Sequence, residues 1–137
     1  MKIFLDANVL VSVLNEEVPT YSYSSRIVSL AGGARFKIYT TPLSLAIAFY
    51  FAGKKNRGTA KQRVSALASH LAICEMNART VENAVRDKRM HDFEDGLQYY
   101  SALDSGCKVI ITEDRDDFYF SDIEVINSRG FMEKFVF

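Results

Sequence analysis

The chain has 137 residues, a formal net charge of zero, 48% apolar and 25% charged residues. That length suits one domain, residues 1–137, able to close a core without disulfides or a structural metal, and the balance excludes disorder and a generic polyanion-coating protein. The longest apolar run, Leu45 to Ala52, is far short of the roughly 20 residues a membrane-spanning helix needs, and Asp6 interrupts the N-terminal apolar stretch where a signal sequence would continue, so the expectation is a cytoplasmic protein without membrane contact.

In chain order, Lys2 to Asp6 (KIFLD) reads as a short strand ending in a carboxylate, and Asn8 to Leu14 as a helix. Pro19 suits the first turn of a second helix, which runs through Tyr21 to Leu30 until Gly32-Gly33 stops it. Phe36 to Thr40 has the β-branched and aromatic content of a strand. Thr41-Pro42 is a helix entry, because a Thr hydroxyl can cap free amides and Pro in the first turn loses no hydrogen bond. The helix it opens, to about Lys54, is apolar nearly all round and is expected to be buried. After the loop KKNRG, Val64, Leu67, Ala68 and Leu71 recur at helical spacing and predict a long solvent-facing helix over 59–71. Ala72 to Met76 reads as a short strand and Thr80 to Lys88 as a short helix. Asp92-Phe93-Glu94-Asp95 then opens a helix that Gly106 ends. Lys108 to Thr112 (KVIIT) has the character of a fully buried strand, Asp122 to Ile126 is another, and Arg129 to Phe137 forms a closing helix. Strands alternating with helices predict an α/β fold, a mainly parallel sheet covered on both faces.

The charges are unevenly distributed. From Val18 to Cys74 there is no acid and there are eight bases, whereas Glu75 to Glu124 carries thirteen acids against six bases. Such asymmetry points towards nucleic-acid contact, although helix faces with different solvated charges would look the same. Cys74 and Cys107 lack CxxC spacing and read as two buried thiols, and His70 and His91 lie near no strand end. There is no GxSxG and no Walker loop.

Ligands of open parallel sheets bind beyond the carboxyl ends of the strands, where the winding reverses. Asp6 closes the first strand, Asp114 follows Thr112 at the end of KVIIT with Asp116 and Asp117 beyond it, and Asp95 lies in the first turn of the preceding helix. If the two strands are neighbours, these carboxylates face one crevice. There they repel one another unless a cation compensates them, and an all-oxygen set suits Mg2+ or Mn2+. Water held by such an ion is the attacking group of phosphodiester hydrolysis. Each acid also has a plain structural reading: Asp6 as a turn or cap, Asp92 and Asp95 as cap and first-turn anion, Asp114 to Asp117 as a solvated turn.

With these residues in view, the sequence resembles the PIN-domain family over nearly its whole length. IFLDANVLVSVL is similar to the family's first strand and first acid, DFEDGLQYYSAL to its third-acid helix, and VIITEDRDDF to its terminal acid motif. The resemblance implies a three-layer α/β/α metal-dependent endoribonuclease, the toxin half of a VapC-like toxin–antitoxin pair. It carries the metal ligands onto Asp6, Asp95 and Asp114, with Asp117 an auxiliary and Asn8 and Thr112 orienting ligands or water. It also implies an antitoxin partner and a homodimer, for which Tyr21, Tyr23, Phe49, Tyr50 and Phe51 offer apolar area. Lys54, Lys55, Arg57, Lys61 and Arg63 are the expected contacts to the RNA backbone. One departure stands out. The family's second acid belongs within TTPLSLAIAFY, where Ala46, Ile47 or Ala48 occupies its place. The resemblance is closest to a subgroup in which that Glu is often replaced, and Asp92 or Glu94 is the nearby acid that would compensate.

Two rival readings follow. A PIN-like domain that has lost turnover with the missing Glu would bind RNA or protein. A phosphatase or phospho-accepting receiver also keeps an Asp after its first strand, but a phosphatase would have Asp where Asn8 stands, and a receiver would have an acidic pair before Asp6 and a basic residue closing KVIIT.

Overall fold

The computed structural model describes residues 1–137. In chain order it contains β1 (Lys2–Leu5), α1 (Ala7–Leu14), α2 (Tyr21–Ser29), β2 (Lys37–Thr40), α3 (Pro42–Lys55), α4 (Ala60–Ala68), β3 (Ala72–Ile73), α5 (Ala78–Arg86), α6 (Phe93–Asp104), β4 (Val109–Ile111), β5 (Glu124–Ile126) and α7 (Ser128–Phe131). A 3-10 turn over Arg115–Phe118 separates β4 from β5, and α7 runs into a π-helical turn over Met132–Val136.

All strands are parallel, in the order β3-β2-β1-β4-β5. The chain winds from β1 outward to β2 and β3, then returns across β1 to lay down β4 on its other side. The winding therefore reverses between β1 and β4, where Leu5 stands opposite Ile111. Alternation along the strands divides the interior. Ile3, Leu5, Ile38, Val109 and Ile111 face a core shared with Val9, Leu10, Ile27, Ala48, Leu67 and Phe131, while Phe4, Tyr39 and Ile110 face a second core built on Tyr99, Ala102, Phe118 and Phe120. The result is the three-layer α/β/α sandwich that the strand–helix alternation predicts. Cys74 and Cys107 are buried free thiols in the second core, and no helix is long and apolar enough to cross a membrane.

Several boundaries differ from the sequence reading, each for a local reason. Helix α5 begins before Thr80 because Asn77 caps it: the Thr80 N–H donates to Asn77 Oδ1 at 3.2 Å and the Asn77 N–H to Thr80 Oγ1 at 3.1 Å. Helix α4 stops at Ala68 because His70 and Leu71 donate to Leu67 and Ala68 in a tightened last turn. Strand β5 starts only at Glu124, since Ser121 Oγ bonds both the N–H and the carbonyl of Ile123 and holds a turn there. Helix α3 is not buried all round. It packs through Ser44, Ala48 and Ala52, and Phe49, Tyr50 and Phe51 are 45%, 58% and 43% exposed.

Gly106 delivers the chain from α6 into β4 with φ +82°, its N–H donating to the Leu103 carbonyl and that of Cys107 to the Ala102 carbonyl. A side chain in that left-handed conformation costs roughly 1–2 kcal/mol. Gly106→Ala is therefore expected to lower stability by about that amount in urea unfolding. Gly32→Ala, at a glycine with open space around it and no positive φ, is expected to stay within about 0.5 kcal/mol of the parent.

Candidate functional site

At the reversal point the ends of β1 and β4 release Asp6 and Thr112 side by side, the Asp6 N–H still donating to the Ile111 carbonyl at 3.0 Å. Thr112 is fully buried. Its hydroxyl donates to Asp6 Oδ2 at 2.8 Å and accepts from Asn8 Nδ2 at 3.1 Å and from the Asp114 N–H at 3.1 Å. Asp6 Oδ1 accepts from the Ala7 N–H at 2.7 Å and so caps α1, while Asn8 Oδ1 accepts from the Glu113 N–H at 3.1 Å. A single hydroxyl thus ties the first acid, the asparagine two residues later and the turn that carries Asp114. The capping role and the role in the cluster fall to the same Asp6 carboxylate, so they do not compete.

On the other face of the sheet, α6 aims its N-terminus at this spot. Asp92 caps the helix, Oδ1 accepting from the N–H of Glu94 at 2.8 Å and of Asp95 at 3.3 Å. The approach to the cap is pinned by Arg89, which grips Asp87 through two bonds of 3.0 and 2.8 Å, and by the Tyr100 hydroxyl, which donates to Asp87 at 2.8 Å. Arg89 beside it holds the Asp87 carboxyl well below the usual carboxylate range.

Between these elements lies a cleft of about 530 Å3, bordered by Asp6, Asn8, Asp95, Asp114 and Asp117 together with Glu94 and Glu17. Its α3 wall is apolar, formed by Ile47 and Phe51. Burial pushes the Asp95 carboxyl up to about 7, with Asp92, Asp117, Asp6 and Glu94 adding repulsion. Asp117 is pushed up to about 6 by desolvation, by its bond to Asp114 and by the charges of Asp114, Asp6 and Asp92. Burial also raises Asp6 and its neighbour Asp114 raises it further, against the lowering effect of Thr112 and the Ala7 N–H. The cleft therefore concentrates negative charge that no cation of the chain neutralises: none of the ion pairs involves these carboxylates.

An all-oxygen, electrostatically frustrated set matches in donor chemistry what a hard divalent ion needs. As the side chains stand, no three carboxylates are drawn close enough to clasp an ion. Rotation of the exposed side chains, Glu94, Asp114 and Asp117, would be the means of closing that gap.

The remaining sequence candidates separate. Lys55 and Arg63 border a hollow of about 360 Å3 with Leu14, Asn15 and Glu16, one turn further along both α1 and α3 than the Val11 and Phe51 wall of the cleft. Lys55 also donates to the Asn15 carbonyl at 2.6 Å. Lys54 and Arg57 line a different hollow beside Phe49 and Tyr50, with Lys54 Nζ 4.5 Å from the Tyr50 ring centre, and Lys61 is exposed on α4. His70 borders a larger cavity of about 630 Å3 without any carboxylate, which it shares with Met1, Phe36 and Lys37, and His91 stacks on Tyr119. Glu17 is the residue that the sequence reading did not single out. The turn after α1, where Glu16 takes φ 51° and the Glu17 N–H donates to the Ser12 carbonyl, brings it back to the cleft, and no local pattern announces that.

Comparison with known proteins agrees with this geometry. The family model described as PIN domain matches residues 2–116. Ribonuclease VapC1 of Aquifex aeolicus is 30% identical over 137 residues, covering 97% of this chain and 94% of that protein. Among solved structures, VapBC2 from Rickettsia felis bound to a DNA fragment from their promoter superposes with TM-score 0.70 at 17% identity, covering 93% of this chain and 98% of the other. VapBC-1 from nontypeable Haemophilus influenzae gives TM-score 0.71 at 14% identity, covering 94% and 99%. By the family match and by its near full-length likeness to a curated relative, this chain belongs to the PIN-domain family.

Proposed function

We propose that this chain, acting over residues 1–137 as one domain, is a divalent-metal-dependent endoribonuclease and the toxin of a toxin–antitoxin pair. The observation that carries the reading is the Thr112-centred lock on Asp6, Asn8 and the Asp114 turn, set at the sheet's reversal point opposite Asp95 in a PIN-domain chain. The name of the relative, Ribonuclease VapC1, supports the substrate class. The VapBC names of two fold neighbours support a VapB-type antitoxin as partner.

In this reading Asp6, Asp95 and Asp114 hold Mg2+ or Mn2+. When bound, the ion supplies a water of lowered pKa and positive charge against the phosphorane-like transition state. The chain's own contribution is positional. Thr112 keeps one Asp6 oxygen engaged and fixes its orientation, and Asn8 holds the turn that carries Asp114. Asp117, at the exposed rim, is the auxiliary carboxylate that orients or receives a proton from the attacking water.

Lys55 and Arg63, in the hollow that continues the α1–α3 side of the cleft, are the residues best placed to follow an RNA backbone away from the acids. Lys54, Arg57 and Lys61 lie outside that track and belong to a wider electrostatic field. The exposed Phe49, Tyr50 and Phe51 on α3 are the apolar area on which an antitoxin or a second copy of the chain would sit, and a cytoplasmic setting accords with such a role. The apolar α3 wall, where the family usually has an acid, favours a second reading: a PIN domain that binds RNA without cutting it.

The two are separated by incubating the protein with single-stranded and structured RNAs and Mn2+. The nuclease reading expects cleavage that falls to background in Asp6→Asn; cleavage that survives that substitution, or none from the parent, overturns it. Thr112→Val keeps the carboxylates but frees Asp6, Asn8 and the Asp114 turn from their common hydroxyl. It is expected to weaken Mn2+ binding about 10–100-fold, read by calorimetric titration.

The carboxyls of Asp95 and Asp117 also set a pH dependence. Folding raises them to about 7 and about 6, so the metal-free folded state binds their protons more tightly than the unfolded chain. Their contribution to metal-free stability is thus full below the unfolded carboxylate value of about 4 and is lost as pH climbs from there through 6 and 7. Thermal unfolding in EDTA is expected to show a lower midpoint at pH 8 than at pH 5.5. Asp95→Asn is expected to flatten that difference and to raise the midpoint at pH 8.

A further inference from the structure

Two carboxylates, not one, face the cleft from the first turn of α6. Consecutive helix residues point about 100° apart, so a groove along the side of a helix would receive only one of Glu94 and Asp95. Here the cleft lies beyond the end of the helix. Side chains lean towards the N-terminus of their helix, which carries the first-turn residues over the opening, and both border it. The neighbouring acid, Asp92, is spent on capping the N–H groups of these two residues and does not border the cleft.

The orientation of the turn is fixed from behind. Gly96 packs against α5 so closely that a Cβ there would stand 3.1 Å from the Ala84 Cβ, which hinders rotation of α6 about its axis. The Glu94 carboxylate has no hydrogen-bond or ion-pair partner in the protein; it is the main-chain N–H of Glu94, not its side chain, that bonds Asp92. On the opposite wall, Ile47 and Phe51 of α3 offer no ligand at all.

Resting on the metal-dependent reading above, we propose that Glu94 is a further carboxylate ligand of the cleft's divalent cation, supplying from α6 the donor that the apolar α3 wall lacks. Its side chain is one methylene longer than that of Asp95, which gives it the reach to share an ion with Asp6 from an adjacent helical position. Asp6, at the end of β1, borders the same cleft as Glu94. Glu17 borders the same cleft from the loop after α1 and is the rival donor.

The test is calorimetric titration of Mn2+ into the full-length parent, Asp6→Asn, Glu94→Gln, Glu94→Asp, Glu17→Gln, and Glu94→Gln combined with Ile47→Glu, each first shown to be folded by circular dichroism. Glu94→Gln is expected to lose at least about 10-fold in affinity, with Glu94→Asp intermediate and Glu17→Gln close to the parent. The added Ile47→Glu is expected to recover affinity by returning an acid to the α3 wall. A Glu94→Gln protein that titrates like the parent, or a loss seen in Glu17→Gln instead, overturns the assignment of Glu94 while leaving the metal site standing. A parent that takes up no Mn2+, or an Asp6→Asn protein that binds it undiminished, overturns the metal-dependent reading itself and the Glu94 assignment with it.

Discussion

The arrangement of the site depends on one buried hydroxyl. Thr112 stands where β4 ends, beside the end of β1, and its oxygen is donor to Asp6 and acceptor from both Asn8 and the Asp114 N–H. A hydroxyl has one proton to give and two lone pairs with which to accept, and all three are used. Valine would keep much of the shape but leave Asn8 Nδ2 and the Asp114 N–H without that partner in a partly buried place, where an unmet polar group costs about 1–3 kcal/mol. Residues more than a hundred positions apart in the chain are thereby held in a common frame. That frame exists only because β1 and β4 are neighbours, which follows from the chain crossing back over β1 after β3.

The same topology creates an electrostatic conflict that the fold does not resolve internally. The strand ends bring Asp6 and Asp114 to one edge, and α6 adds Glu94 and Asp95 from the other face of the sheet. Elsewhere the chain does pair some of its acids with a cation: Asp87 has Arg89, with the Tyr100 hydroxyl as a further donor, Glu124 has Lys134, and Glu133 has Arg129. At the cleft no Lys or Arg is provided, and Asp95 and Asp117 hold their protons more tightly instead. A protein that can place a cation beside an acid and does not do so at its most crowded acidic position carries a local cost to stability. Such costs are common where a site has been shaped for a ligand rather than for the apo fold.

Much of this was legible in the residues themselves. KIFLD and KVIIT are short apolar strands ending in a polar residue, and the requirement that parallel strands be covered on both faces makes their carboxyl ends a shared edge. Asp92 and Asp95 could be placed in one helical turn because cap spacing is local. What depends on long-range packing was not legible. The apolar composition of α3 suggested a buried helix, yet its small residues Ser44, Ala48 and Ala52 make the tight contact while its aromatics lie outward, so residue size rather than apolarity sorted its faces. Glu17 returns to the cleft through a turn with a positive φ at Glu16, which no periodic pattern encodes. The basic residues of the α3–α4 connection looked like one patch in sequence, but the bend between the helices distributes four of them over two hollows and leaves Lys61 exposed on α4.

Helix α3 links the site to the outer surface. Phe51 lines the cleft and is also 43% exposed, and its neighbour Tyr50 meets it edge to face with ring centres 5.3 Å apart. Lys54 lies over both rings, 4.5 and 5.5 Å from their centres, and shields part of the apolar area from water with its own aliphatic stem. The Phe51 carbonyl accepts from Asn15 Nδ2 at 3.4 Å, and the Asn15 carbonyl accepts from Lys55 Nζ, so this stretch of α3 is fastened to the end of α1 by side-chain-to-main-chain bonds that do not involve the aromatic rings. A partner burying Phe49, Tyr50 and Phe51 would therefore also cover one wall of the acidic cleft. In the nuclease reading proposed above, occupancy of the outer face and access of RNA to the acids would be coupled through Phe51 by steric overlap, because the same ring lines the cleft and is exposed on the outer face.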